Sequence, residues 1–294
     1  MPAHTVRFKQ VDVFTKVPFK GNPLAVVFDA DGLDDVQMQA IARWTNLSET
    51  TFLVKATEPA ADYRVRIFTT HGELPFAGHP TLGTAHALLE SGYQPKVPGK
   101  LVQQCGVGLV ELSAQDGGAW AFAAPPARVT PLPADLYAAL ADALRTDAVD
   151  FSAPPCGVDN GAPWLVVRVA SAEACLAIEP DPAALAHMAG AVGAHGLAAY
   201  GPHTADGPAT FEVRCLMMGG GLGIGEDPVT GSANAALAGL LTAQQRRPGL
   251  SYTARQGTVL GRAGQVSVHY DDAAGKTWIG GSSVTIVDGT FRLP

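Results

Sequence analysis

Charge is scarce in this chain and carries no basic surplus: 16% of its 294 residues are Asp, Glu, Lys or Arg, the formal balance is −7, and the two signs are interspersed. A nucleic-acid surface needs clustered Lys and Arg to replace counterions along the phosphates, so that class of partner is excluded. No stretch approaches the roughly 20 apolar residues of a membrane-crossing helix. The opening MPAHTVRFKQVDVF has neither an apolar signal core nor an Arg- and Ser-rich transit character, so a cytoplasmic protein with no membrane partner is expected. Cysteine is sparse as well. Cys105, Cys156, Cys175 and Cys215 lack CxxC or CxxH spacing, so they are expected as small buried residues and not as disulfides or zinc ligands. His71, Glu73 and His79 miss the HExxH spacing of a zinc helix, GGGLGIGEDP offers no GxGxxG or GxxxxGK register, and GxSxG is absent. No metal and no cofactor are therefore expected.

What the chain does have is apolar and small. Hydrophobic residues make up 47%, with 33 glycines and 22 prolines to supply turns. This composition suits an ordinary packed protein, and the length exceeds the ~100–200 residues of one domain, so two domains are expected.

Internal self-similarity organises them. Arg64–Leu89, RVRIFTTHGELPFAGHPTLGTAHALL, lies over Glu212–Leu237, EVRCLMMGGGLGIGEDPVTGSANAAL, without a gap at an offset of 148. Nine positions are identical, among them Arg66/Arg214, Gly72/Gly220, Leu74/Leu222, Pro80/Pro228 and Gly83/Gly231. A weaker echo joins GNPLAVV (21–27) to GAPWLVV (161–167). An offset of almost half the chain means duplication of a half-chain unit and excludes a solenoid, which needs several short periods.

In both copies a strand (63–68; 210–216) runs into a Gly-rich loop and then a helix (80–90; 232–244) that is Ala-, Leu- and Gly-rich on nearly every face, the mark of a buried helix. A helix is also expected over 35–44 with Val36, Ala40, Ile41 and Trp44 on one face, and another starting near Asp181 or Pro182. Short β patterns surround these segments. The expected fold class is α+β: two pseudo-symmetric lobes, each a curved, mostly antiparallel sheet wrapped around a central helix. The Pro-rich stretch 123–133 marks the boundary, giving an N-terminal lobe of 1–126, with 284–294 as a candidate to complete it, and a C-terminal lobe of 127–283.

Each repeat is expected to open its helix at His-Pro or Asp-Pro, so the offset matches His79 with Asp227. Helix N-termini carry unpaired N–H groups and partial positive charge, which suits a carboxylate or phosphate. Two such ends could converge on one small anion in a cleft between the lobes. From the residues alone, His79 and Asp227 serve either as caps or as acid/base groups, and Glu49 in TNLSETTFLV is either a solvated turn carboxylate or a side chain projecting at a strand end.

With VDVFTKVPFKGNPLAVV, NLSETTFL, RIFTTHGELPFAGHPTLGTA, GEDPVTGSANAAL, QGTVLGRAGQVSV and IGGSSVTIVDGTF in view, the chain resembles, over nearly its whole length, the PhzF family, which shares a fold with diaminopimelate epimerase. The resemblance implies a cofactor-independent isomerase that works as a homodimer on a small carboxylate-bearing substrate. It implies a catalytic Glu49, substrate contacts from His79, Asp227 and Ser232, and loops formed by Gly78 and Gly231. It departs from the epimerases in having no cysteine in either AGHPT or EDPVTG, which speaks against a thiol-based epimerisation. Two alternatives stand beside this reading: a two-base racemase using His79 and Asp227, and a non-catalytic metabolite-binding or interaction protein of the same fold.

Overall fold

The computed structural model describes residues 4–220 and 223–293. Leu222, which the repeat matches to Leu74, lies outside the described residues. The chain divides into two compact units, Met1–Ala123 with Gly280–Pro294, and Ala124–Ile279.

The first unit is a mostly antiparallel sheet around one helix. Strand His4–Val13 is flanked by the antiparallel strands Asn22–Val27 and Ser283–Leu293. Asn22–Val27 runs parallel to Glu49–Val54, and helix Asp35–Thr45 makes the crossover between them. Glu49–Val54 lies antiparallel to Tyr63–Phe68, which neighbours Lys100–Cys105 in parallel, and Gly108–Ala114 and Trp120–Ala123 complete the meander. Alternation sets the faces of Tyr63–Phe68, with Tyr63, Val65 and Ile67 buried and Arg64 and Arg66 half-buried. Inside lies helix Gly78–Glu90, buried from Gly78 through Ala85.

The second unit retraces this path. Trp164–Arg168 runs parallel to Gly196–Pro202 after the crossover helix Pro182–Ala191, whose N-cap Asp181 accepts from Ala184 N–H. Gly196–Pro202 is antiparallel to Phe211–Gly220, which is parallel to Ser251–Gln256, itself antiparallel to Gly264–Asp271. Its buried helix is Gly231–Ala243. The same order of parallel and antiparallel neighbours in both units is the structural form of the sequence repeat.

Two expectations are corrected. Helix Asp35–Thr45 buries Met38 and Ala42 and packs Ile41 against the same core, while Val36 and Trp44 are each 77% exposed, so of the expected face Ile41 packs inward and Val36, Ala40 and Trp44 do not. The glycine-rich segment of the second repeat is not a loop throughout. Gly223–Asp227 is a strand that returns antiparallel along Phe211–Gly220, as the short strand Glu73–Leu74 does along Tyr63–Phe68.

The repeated arginine braces each return strand. Arg66 holds Glu73 through both nitrogens of its fork at 2.8 and 2.6 Å and reaches Asp35 at 2.7 Å. Arg214 holds Glu226 at 3.1 and 2.9 Å and donates to the carbonyls of Cys175, Leu176 and Ile178. Exposure separates the two, because the Arg214 and Glu226 side chains are 6% and 10% exposed whereas Asp35 is 79% exposed. Removing one partner of a buried ion pair strands the other charge. Arg214→Met is therefore expected to cost about 3–5 kcal/mol in urea unfolding, and Arg66→Met about 0–1 kcal/mol. Equal losses would contradict the assignment of the load to burial.

Candidate active site

In the first unit, local signals deliver Glu49 to its place. Asp34 and Gln37 form a capping box that starts the crossover helix, and Asn46, at φ 54°, ends it in the left-handed region. Three residues later the chain enters the strand at Glu49, directly across from Leu24. Beside this strand, Gly21 donates its N–H to the buried Asp12 carboxylate at 3.1 Å, and a Cβ at Gly21 would stand 2.1 Å from the Val13 carbonyl. That close approach seats the fully buried Asn22.

His79 is the second residue of the central helix and is buried. Its Nδ1 lies 3.4 Å from Glu49 Oε2 and 3.4 Å from Asn22 Nδ2. Burial drives the imidazole pKa down to about 3, against a smaller raising effect from the Pro23 main chain. The ring is thus neutral near pH 7, and its approach to Glu49 is a polar contact, not an ion pair. Glu49 itself is 15% exposed, partly shielded and still open to solvent.

In the second unit, Asp227 ends its strand, still laddered to Cys215, and accepts a hydrogen bond at Oδ2 from the Thr230 hydroxyl. Thr230 is the N-cap of the helix that begins with Gly231. Ser232 follows, its Oγ accepting from Trp164 Nε1 at 3.1 Å and its carbonyl from Asn160 Nδ2 at 3.0 Å. Because the indole donates, the serine hydroxyl proton is directed elsewhere.

The structure brings Glu49 and His79 together in one unit and gathers Asp227, Gly231 and Ser232 around one helix start in the other. It corrects three local readings. Gly78 and Gly231 are the first helical residues, not loop residues, and both are buried. Neither helix opens at the X-Pro step: the first starts ahead of His79, and the second four residues beyond Asp227. The His79/Asp227 match is therefore one of sequence only. Proline explains the first case, since Pro80 falls in a first turn that needs no N–H from it. Asp227 is kept out of its helix by the ladder to Cys215.

Sequence reasoning passed over Asn22, Trp164 and Gln256. The signal was present for the first two in the GNPLAVV/GAPWLVV echo, each copy of which supplies a residue that contacts the site in its own unit. Among the described residues no cluster of three or more His, Cys, Asp or Glu could hold a metal, and no helix is long and apolar enough to cross a membrane.

This fold is shared with a Bacillus anthracis phenazine biosynthesis protein of the PhzF family, matched at TM-score 0.84 and 24% identity over 99% of each chain. A trans-2,3-dihydro-3-hydroxyanthranilate isomerase of Pseudomonas chlororaphis is 34% identical over 96% of this chain and 98% of its own length. Antisense-enhancing sequence 1 of Schizosaccharomyces pombe is 37% identical over 96% and 97%. By class, the chain is an isomerase. The family is narrower: the model described as PhzC-PhzF, phenazine biosynthesis-like protein, matches residues 11–289. The chain belongs to that family.

The depressed His79 pKa has a sign that can be checked. The folded state refuses a proton that the unfolded chain accepts below about 6.5, so stability is full above that pH and is lost progressively towards pH 3. Between pH 7 and pH 5 the wild type should lose about 2 kcal/mol more than His79→Asn in urea unfolding. Parallel losses would show that His79 is protonated in the folded state.

Proposed function

We propose that this isomerase shifts a proton within a small carboxylate-bearing substrate, without cofactor or metal, using Glu49 as the proton carrier. The observation that carries the reading is the placement of the Glu49 carboxyl, largely shielded, 3.4 Å from an imidazole that burial keeps neutral. A carboxylate at this place can take a proton from one carbon, the electron pair of the broken C–H bond passing into the unsaturated substrate, and return the proton at another carbon. His79 and Asp227 orient the substrate, and Ser232, its Oγ already accepting from Trp164, offers its hydroxyl proton to the substrate's carboxylate. Gly78 and Gly231, having no side chain, each leave the start of their own helix open to close approach by a substrate group.

A two-base mechanism through His79 and Asp227 is disfavoured. An imidazole that titrates near 3 is a poor base at neutral pH. The names of the relatives make trans-2,3-dihydro-3-hydroxyanthranilate the first compound to try, followed by other small unsaturated carboxylates.

In heavy water the wild type should place deuterium in the isomerised product. Glu49→Gln should lower that incorporation by ~10²–10⁴-fold while substrate still binds with unchanged affinity. Full exchange by the variant would remove Glu49 from the reaction.

A further inference from the structure

The QGTVLGR segment contributed to the family resemblance but acquired no task above, and its glutamine is fully buried. The main chain fixes which way the Gln256 amide points. Its Oε1 accepts from the Thr230 N–H at 3.0 Å, which can only donate, and its Nε2 donates to the Asp227 carbonyl at 3.0 Å, which can only accept. Asn234 Nδ2 adds a second donor to Oε1 at 3.0 Å. With the amide so oriented, Nε2 also donates to Thr230 Oγ1 at 2.9 Å. The threonine hydroxyl is thereby an acceptor on that side, and its own proton goes to Asp227 Oδ2.

The first unit contains the same wiring with a different end point. Gln103, also fully buried and also on the strand parallel to the repeated strand, accepts from the Tyr63 hydroxyl at 3.0 Å and donates to Thr81 Oγ1 at 2.9 Å. Thr81 then donates to the Ala77 carbonyl at 2.9 Å. A glutamine-to-threonine relay accompanies each central helix start. Only in the second unit does it terminate on a group that titrates.

We propose that Gln256 and Thr230 are positioning residues that commit Asp227 Oδ2 to accepting a hydrogen bond, and so hold Asp227 ionised as a substrate-orienting group. This rests on the role given to Asp227 under the proposed function. A carboxylate that receives a directed hydroxyl proton is favoured over the carboxylic acid, because a charged oxygen accepts a hydrogen bond more strongly than the carbonyl oxygen the acid would offer. Cys215, opposite on the ladder, is driven well above its ordinary range by burial and stays a neutral thiol, while Glu226 next along the strand is engaged by Arg214.

The test uses the full chain with ¹³C-labelled aspartate, the Asp227 carboxyl signal being assigned by its loss in Asp227→Asn. Thr230→Val should raise the carboxyl titration midpoint by about 1 pH unit, and the acid limb of kcat/KM for deuterium exchange should move with it. Thr230→Ser, which keeps the hydroxyl, should restore both. Thr81→Val, which breaks the relay that ends on a carbonyl, should leave the Asp227 midpoint where it was. An unchanged midpoint in a folded Thr230→Val protein overturns the relay regardless of activity. If the midpoint moves but Asp227→Asn exchanges at the wild-type rate, the relay stands and the orienting role of Asp227 falls.

Discussion

A helix buried on nearly every side must satisfy the polar groups at its start without water, and in each unit a buried glutamine and a threonine serve that requirement. Small residues let the sheet close over Gly78–Glu90 and Gly231–Ala243, which removes solvent from the one place where the helix most needs donors and acceptors. Polar side chains are then brought into the core and paired there: Gln103 with Thr81, and Gln256 with Thr230 and Asn234. The same dryness lowers the affinity of His79 for a proton. The stability of the fold and the character of its site thus have a common origin.

The duplication was legible because identities at a constant offset need no three-dimensional information. It revealed, in each copy, a strand followed by a glycine-rich segment and a buried helix. The constant offset does not carry over to the helix starts, which the composition of each copy puts near 80 and 232 and the structure puts at Gly78 and Gly231. Gly78 and Gly231 are 153 residues apart while the repeat runs at 148. The first helix therefore extends further back than the matched letters suggest, and His79 lies inside a helix while Asp227 remains in a strand. A pattern of identical residues records ancestry, whereas helix boundaries depend on which backbone groups a neighbouring strand has already claimed.

Other failures have equally local causes. Val36, Ala40 and Trp44 share a helical stripe as apolar as the one through Met38 and Ala42, and only the position of the sheet decides between them. Burial of Glu212 and Arg214 contradicts the usual expectation for charged residues. The partners that permit it, His203 at 3.0 Å and Glu226, are recognisable only once the strands are paired. Asn22 was in plain view within a noticed motif, yet an asparagine beside a proline has many ordinary explanations, and only its distance to His79 sets it apart.

Strand Ser283–Leu293 zips along His4–Val13, so two segments from opposite ends of the chain are neighbours in one sheet. During synthesis the ribosome has emitted every residue of the unit Ala124–Ile279 before it has made the strand that closes the other unit. The unit encoded second can therefore finish folding first, and the one encoded first must wait with a bare strand edge exposed. Until that strand is made, the His4–Val13 edge stays open to chaperone capture or edge-to-edge aggregation, and synonymous changes that slow translation of residues 283–293 would lengthen the wait.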